Sequence, residues 1–220
     1  MYKVFPSFWS SDEIRDLKKS FLSVQSKKAG SIGPGHFTES YDTSRIAHMH
    51  SIQTELVPNH FKNKLRVALL ETIPLEDDDY YFMEPWSVNV YHGHENGKFD
   101  WHRDRLDYFI KTPEHDHETP EQTFRRNTRP EREISVSVAL NNKRDYNNGW
   151  FNLDKGDGKQ SRVELNAGDM VIFDADTLHG VDPVTEGRRE ALIIWAVHKS
   201  KVEAWMDLCE VPIAGLPERE

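Results

Sequence analysis

Apolar positions change their period partway along the chain. In the first eighty residues they recur at helical spacing. Ile14, Leu17, Phe21 and Val24 share one face of a segment that opens with Ser10 and Glu13, an S-x-x-E capping box. Phe61, Leu65 and Leu69 share one face of a second segment, which starts near Asn59 and ends before Pro74. The Gly-containing stretch between them, 26–42, reads as a loop. From residue 86 the period is two: Trp86, Val88 and Val90 interleave with Ser87, Asn89 and Tyr91. Similar runs predict strands at 99–105, 133–140, 150–153, 161–165, 169–174 and 189–198. In the last of these both alternating faces turn apolar after Glu190, as expected of a strand covered by an opposing sheet on one side and a helix on the other. The pattern predicts a mainly β, α+β fold, a sandwich or barrel backed by N-terminal helices. One domain is expected over 1–220, with 1–80 as helical support and 81–200 as the β core. Residues 107–132 form the one long polar insertion, either a lid or binding loop or a solvated excursion. The tail beyond Lys201 has no readable pattern.

Composition narrows the partners. Lys and Arg number 28 against 37 Asp and Glu, a formal charge of -9, which argues against a general affinity for phosphate backbones while leaving a local basic groove open. Nucleic acid is therefore not an expected partner. No basic leader precedes an apolar run and no stretch approaches the length of a membrane span, so a soluble protein without membrane association is expected. The lone Cys209 allows no internal disulfide and lies far from any His-rich segment, which fits a reducing cytoplasm. Nothing in the pattern indicates an oligomeric state.

Residues two apart on a strand point to one side, so His102 and Asp104 can present an imidazole and a carboxylate to one metal. Alone the pair is weak, because this composition yields about two His-x-acid matches by chance. His179 strengthens it. It stands just beyond the apolar run of 169–174, and the strand that follows opens with arginines. Two histidines and one carboxylate leave coordination positions open, which suits ferrous iron binding a bidentate acid and then dioxygen; a structural zinc site would be closed. An arginine on the next strand supplies the permanently charged fork that a distal carboxylate needs. The pairs His48/His50, His92/His94 and His115/His117 have ligand spacing without a placed third ligand. Trp101 and Phe99 read as core, and Ile193 and Trp195 as core or pocket wall. Arg125, Arg126, Arg129 and Arg132 read as a solvated face or a grip on an acidic substrate.

These blocks resemble the iron(II)- and 2-oxoglutarate-dependent dioxygenases of prolyl 4-hydroxylase type over Trp86 to Val197. The resemblance rests on Tyr91 to His94 (Y-H-G-H against Y-x-x-G), F-x-W-H-x-D at Phe99 to Asp104, and L-N at Leu140 and Asn141. It continues in G-D-x-V-I-F at Gly168 to Phe173 and in L-H-x-V-x-P-V-T-x-G-x-R at Leu178 to Arg189. It implies a double-stranded β-helix, or jelly roll, with the N-terminal helices packed on one sheet. It further implies Fe(II) held by His102, Asp104 and His179, with 2-oxoglutarate and O2 as co-substrates and ascorbate as an aid. Arg189, two residues after Gly187, is the implied partner of the distal carboxylate, and Tyr91 a further contact of 2-oxoglutarate. Asp104 in place of Gly or Ala implies hydroxylation in preference to halogenation.

The implied reaction hydroxylates an unactivated C–H of a prolyl or other amino-acid residue, peptidyl or free, with release of succinate and CO2. Arg103, Arg105, Tyr108 and Trp150 are the candidates for substrate contact. Two departures concern the pocket. The Tyr91 to His102 interval is about two residues longer than the family's, and Asn148-Gly149, followed by Trp150, stands where the family has Gly-Gly. The competing readings are a nucleic-acid alkyl-lesion demethylase and a non-catalytic jelly-roll binding module.

Overall fold

A computed structural model describes residues 2–22, 27–28, 45–76, 78–105, 118–154 and 159–209. Its elements in chain order are β1 (Tyr2–Phe5), α1 (Ser11–Leu22), β2 (Lys27–Lys28), β3 (Arg45–Ile46), β4 (His48–Ile52), α2 (Asn59–Thr72), β5 (Tyr80–Tyr81), β6 (Trp86–His92) and β7 (Lys98–His102). There follow α3 (Pro120–Thr128), β8 (Ile134–Ala139), β9 (Tyr146–Asn148), β10 (Phe151–Asp154), β11 (Gln160–Val163), β12 (Met170–Asp174), β13 (His179–Val181), β14 (Val184–His198) and α4 (Lys199–Cys209). The larger sheet runs β1-β12-β8-β14-β6-β4-β2, with β5 and β9 also paired to β14; the smaller runs β11-β10-β13-β7-β3. All pairings are antiparallel.

The alternating pattern sorts side chains onto the two faces of the larger sheet. Trp86, Val88 and Val90 of β6, Ile134, Val136 and Val138 of β8, Met170 and Ile172 of β12, and Leu192 and Ile194 of β14 pack with α1 and α2 in one core. The opposite face carries the smaller or polar alternates and turns toward the second sheet, where Val171, Phe173 and Ala139 meet Phe151, Leu153 and Val181 in a second core. The capping box forms as read: Ser10 N–H donates to Glu13 Oε2 at 2.7 Å, and Glu13 N–H donates to Ser10 Oγ at 3.2 Å. Val24 lies outside the described residues.

Several expectations need correction. The 26–42 stretch contains a strand, Lys27–Lys28, paired to β4. Within 107–132, the part from Pro120 to Thr128 is a helix, capped where Thr119 Oγ1 accepts from Gln122 N–H and Gln122 Oε1 accepts from Thr119 N–H. The tail that gave no pattern opens with α4. The strand expected at 99–105 ends at His102, so Asp104 reaches its position from the turn beyond it.

That strand also carries a bulge. His179 faces His102 and Val181 faces Phe99, so three residue steps on β7 span two on β13. The extra residue brings both Phe99 and His102 inward and turns Trp101 out, leaving it 38% exposed and not in the core as expected. Gly180 fits against the bulge; a Cβ there would sit 3.0 Å from the Phe99 carbonyl oxygen.

Gly187 holds the approach to Arg189. Its φ of 74° lies in the left-handed region, and a Cβ would run into the Asp145 carbonyl. Gly187→Ala should therefore lower the unfolding free energy by roughly 1–3 kcal/mol, read from urea denaturation. An unchanged midpoint would show that this turn tolerates a side chain.

Candidate metal centre

His102, Asp104 and His179 come together on the face of the smaller sheet that turns toward the larger one. Their candidate ligand atoms all lie within 4.8 Å of one another, and all three residues are buried. The register explains the meeting of the histidines, since β7 and β13 are neighbours and place His102 directly opposite His179. Their ring centroids are 4.1 Å apart. Asp104 is set by the turn after β7, where the N–H groups of Asp104 and Arg105 both donate to the Ala175 carbonyl, at 2.9 and 3.0 Å.

Each ring is oriented by its other nitrogen. Nδ1 of His102 lies 2.8 Å from the Asp100 carbonyl, and Nδ1 of His179 lies 2.9 Å from that of Thr177. A carbonyl can only accept, so Nδ1 carries the proton in both rings and the Nε2 lone pairs point into the shared space. They lie 3.6 Å (His102) and 3.4 Å (His179) from the Asp104 carboxylate. Ser135 Oγ donates to Asp104 Oδ2 at 2.7 Å and fixes the carboxylate from the larger sheet. Burial would raise the Asp104 pKa, but His179, His102 and Arg132 outweigh it and hold the group far below the usual carboxylate range. Burial pulls the His179 pKa down against the attraction of Asp104. Aromatic rings seal the histidines: Phe99 stacks on His102 at 3.6 Å and Phe173 meets His179 edge-on at 4.7 Å.

Beyond the triad the space between the two sheets holds unspent polarity. Ser137 Oγ is buried without a hydrogen-bond partner. Arg189, only 4% exposed, sits opposite Tyr91 across β14 and β6, with its guanidinium carbon 5.3 Å from the Tyr91 ring centroid. No carboxylate among the described residues pairs with Arg189. The extra length between Tyr91 and His102 is taken up in a turn over 93–97, where Asn96 is left-handed at φ 53°, and by the bulge, so Tyr91 stays in register with Arg189. The donor set and the buried, unmatched guanidinium fit a ferrous ion and an acidic co-substrate.

The other predicted residues divide. Arg103 and Arg105 are exposed on the rim, Arg103 beside Asp176 at 3.5 Å and Arg105 beside Glu131 at 3.7 Å. Trp150 is not brought to the triad. It lies between the Lys143 ammonium and the Arg162 guanidinium, 4.7 and 5.7 Å from its ring, while the next residue, Phe151, turns inward to Phe173. Tyr108, His115 and His117 lie outside the described residues. His48 and His92 do approach, with rings 5.1 Å apart, yet among the described residues only the triad gathers three ligand atoms. Arg132 is no solvated residue: it pairs with Glu84 at 2.6 Å, donates to the Asp104 carbonyl at 3.3 Å and covers the Trp195 ring at 3.5 Å.

Reading the sequence missed Ser135, Ser137 and Arg45. The serines were legible as the small alternates of ISVSVA; Arg45 gave no local signal.

Comparisons with known proteins agree with this geometry. The model of the 2OG-Fe(II) oxygenase superfamily matches residues 86–197, more than half of the chain. A PKHD-type hydroxylase of Teredinibacter turnerae is 40% identical and one of Saccharophagus degradans 43% identical, each over 63 residues. That stretch is 29% of this chain and only 27% of either relative. Among solved structures, a Pseudomonas putida prolyl-4-hydroxylase superposes with a TM-score of 0.57 at 17% identity, covering 89% of this chain and 91% of that one. A Trichoplax adhaerens prolyl hydroxylase, solved with a hypoxia inducible factor peptide fragment, gives 0.58 at 14% identity, covering 92% and 86%. At such identities the superpositions establish the double-stranded β-helix fold and no more. Taken with the family match, they make this chain a member of the 2OG-Fe(II) oxygenase superfamily, whose chemistry requires ferrous iron, 2-oxoglutarate and dioxygen.

Proposed function

We propose that this chain is a hydroxylase that oxidises a C–H bond of a prolyl or other amino-acid residue, with His102, Asp104 and His179 holding Fe(II). The observation that carries this reading is the convergence of two imidazole Nε2 atoms and one carboxylate, drawn from both sides of a strand pair, in a buried site. Three protein ligands on one side leave room for a chelating acid and dioxygen. Bound there, iron would couple oxidative decarboxylation of 2-oxoglutarate, giving succinate and CO2, to hydroxylation of the substrate carbon.

The chain's own contribution is placement and exclusion of water. The carbonyls of Asp100 and Thr177 keep both imidazoles turned toward the ion, and Ser135 keeps Asp104 from rotating away. Phe99 and Phe173 cover the ligand rings with apolar surface. Arg189, a buried cation that meets no carboxylate among the described residues, receives the distal carboxylate of the co-substrate, with Tyr91 beside it. Arg103 and Arg105, exposed and flanking Asp104 in sequence, are the residues proposed to contact substrate. A peptide or amino-acid-like substrate is supported by the PKHD-type and prolyl-hydroxylase relatives. No helix among the described residues is long and apolar enough to cross a membrane.

His179→Ala should abolish ferrous binding in calorimetry. Arg189→Ala should keep the metal and weaken 2-oxoglutarate at least about tenfold; unchanged co-substrate affinity would mean that another cation does the work. Ser135→Ala should weaken the metal by about tenfold or more, with 2-oxoglutarate affinity of the metal-loaded protein unchanged. The wild-type chain with iron(II), ascorbate and 2-oxoglutarate should form succinate, accelerated by a substrate that gains one oxygen in a mass-spectrometric screen of peptides and amino acids. Absence of iron-dependent succinate with every substrate tried would favour a binding module.

A further inference from the structure

A second buried arginine lies near the triad, and the proposed chemistry leaves it unused. Arg45 stands opposite Phe99 in the pairing of β3 with β7, so its side chain leaves the smaller sheet on the same side as the ring that stacks on His102. It crosses to the larger sheet, where Nη2 donates to Asn89 Oδ1 at 2.9 Å. Asn89 is 2% exposed and lies two residues before Tyr91 on the same face of β6. The guanidinium carbon is 4.6 Å from the Phe99 centroid, and Phe99 is 3.6 Å from His102. Laid end to end these place it within roughly 8 Å of a ligand imidazole.

This cation is poorly satisfied. Its Nε is buried without a hydrogen-bond partner, Nη2 meets only the neutral amide of Asn89, and no carboxylate among the described residues pairs with it. Arginine cannot relieve this by giving up its proton. Burial pulls its pKa down, with Tyr91 and Asp104 opposing.

Arg132 is matched by Glu84. Asp104 offsets one charge of a ferrous ion, a dianionic 2-oxoglutarate offsets the other and leaves one negative charge, and Arg189 meets that. Among the described residues Arg45 remains without a counter-charge, and a buried unpaired charge is costly.

We propose that Arg45 binds a carboxylate of the substrate to be oxidised, so that the substrate is an acidic amino-acid derivative. The inference rests on the metal and co-substrate assignment above. A reach of roughly 8 Å to His102 spans about two residues of extended chain, so the carboxylate belongs to the oxidised residue or its neighbour. It is either the main-chain carboxylate of a free or C-terminal residue or the side chain of an acidic one, and both present the same planar pair of oxygens to the guanidinium fork.

The test compares wild type with Arg45→Met, Arg45→Lys and Arg189→Met, all zinc-loaded. Calorimetry follows 2-oxoglutarate. With N-oxalylglycine also present, ligand-detected NMR follows N-acetylproline, the α-amide of N-acetylaspartate and the neutral N-acetylprolinamide. In wild type at least one carboxylate probe should bind at least about tenfold more tightly than the neutral amide. N-acetylproline binding identifies a main-chain carboxylate, and aspartate-probe binding a side-chain one. Arg45→Met should erase that preference while holding 2-oxoglutarate within about twofold of wild type. Arg45→Lys, which keeps the charge and loses the fork, should fall between, and it reads the effect if circular dichroism shows the methionine variant misfolded. Arg189→Met should do the reverse of Arg45→Met. The proposal is overturned if no carboxylate probe outbinds the amide, if the preference survives in Arg45→Met, or if that variant loses 2-oxoglutarate while keeping the probe. Unchanged 2-oxoglutarate binding in Arg189→Met would count against the co-substrate assignment alone, because the Arg45 comparison has its own readout.

Discussion

The larger sheet is two-faced, and the rest of the molecule depends on that division. On β6, β8 and β14 most bulky apolar side chains go to the helix side, where Trp86, Val136 and Leu192 are fully enclosed, while Tyr91 and Trp195 lie on the other face. Their alternates, Ser87 and Asn89, Ser135 and Ser137, Ala191 and Arg189, face the smaller sheet. Small and polar side chains on this face keep the two sheets from closing completely over the middle of the sandwich. The space they leave is where the triad and both arginines sit. A single-residue slip in any of these strands would exchange the faces, filling the cavity and putting serines against the helices.

The metal centre draws on both sheets at once. The smaller one contributes the histidines as cross-strand partners, and the larger one reaches over with Ser135 to steady the carboxylate. Orientation of the rings costs the protein no extra side chain, because each imidazole bonds to a carbonyl two residues earlier in its own segment. Rigid strands therefore set both the ligands and what aims them, which suits a site whose remaining positions must be left for exchangeable partners.

Much of this was legible in the sequence where periodicity is local. The capping box at Ser10, the inward faces of α1 and α2, and the alternation of β6, β8 and β14 all follow from residue spacing within one element. The triad was legible because its spacing resembles a known family. What escaped depends on pairing between distant segments. β1, β3 and β5 have four residues or fewer, too little to establish a period, and exist because β12, β7 and β14 offer them edges. The bulge in β7 puts Phe99 and Trp101, two residues apart, on opposite sides, something no count of alternating positions detects. The place of Trp150 after Asn148-Gly149 gave no sign that its ring would lie between the cations of Lys143 and Arg162. Arg45 matters only through its register with Phe99.

The position of β14 bears on how the molecule is assembled. It is the final strand of the described chain, yet it lies between β6 and β8 in the middle of the larger sheet. Until residues 184–198 have left the ribosome, β6 and β8 have no partner between them, and both remain open sheet edges with greasy faces. β1 likewise waits for β12, some 165 residues later. The sheet therefore closes only after synthesis has passed residue 198, by contacts of long sequence separation that make folding slow, and a nascent chain stalled before β14 is a natural client for a chaperone.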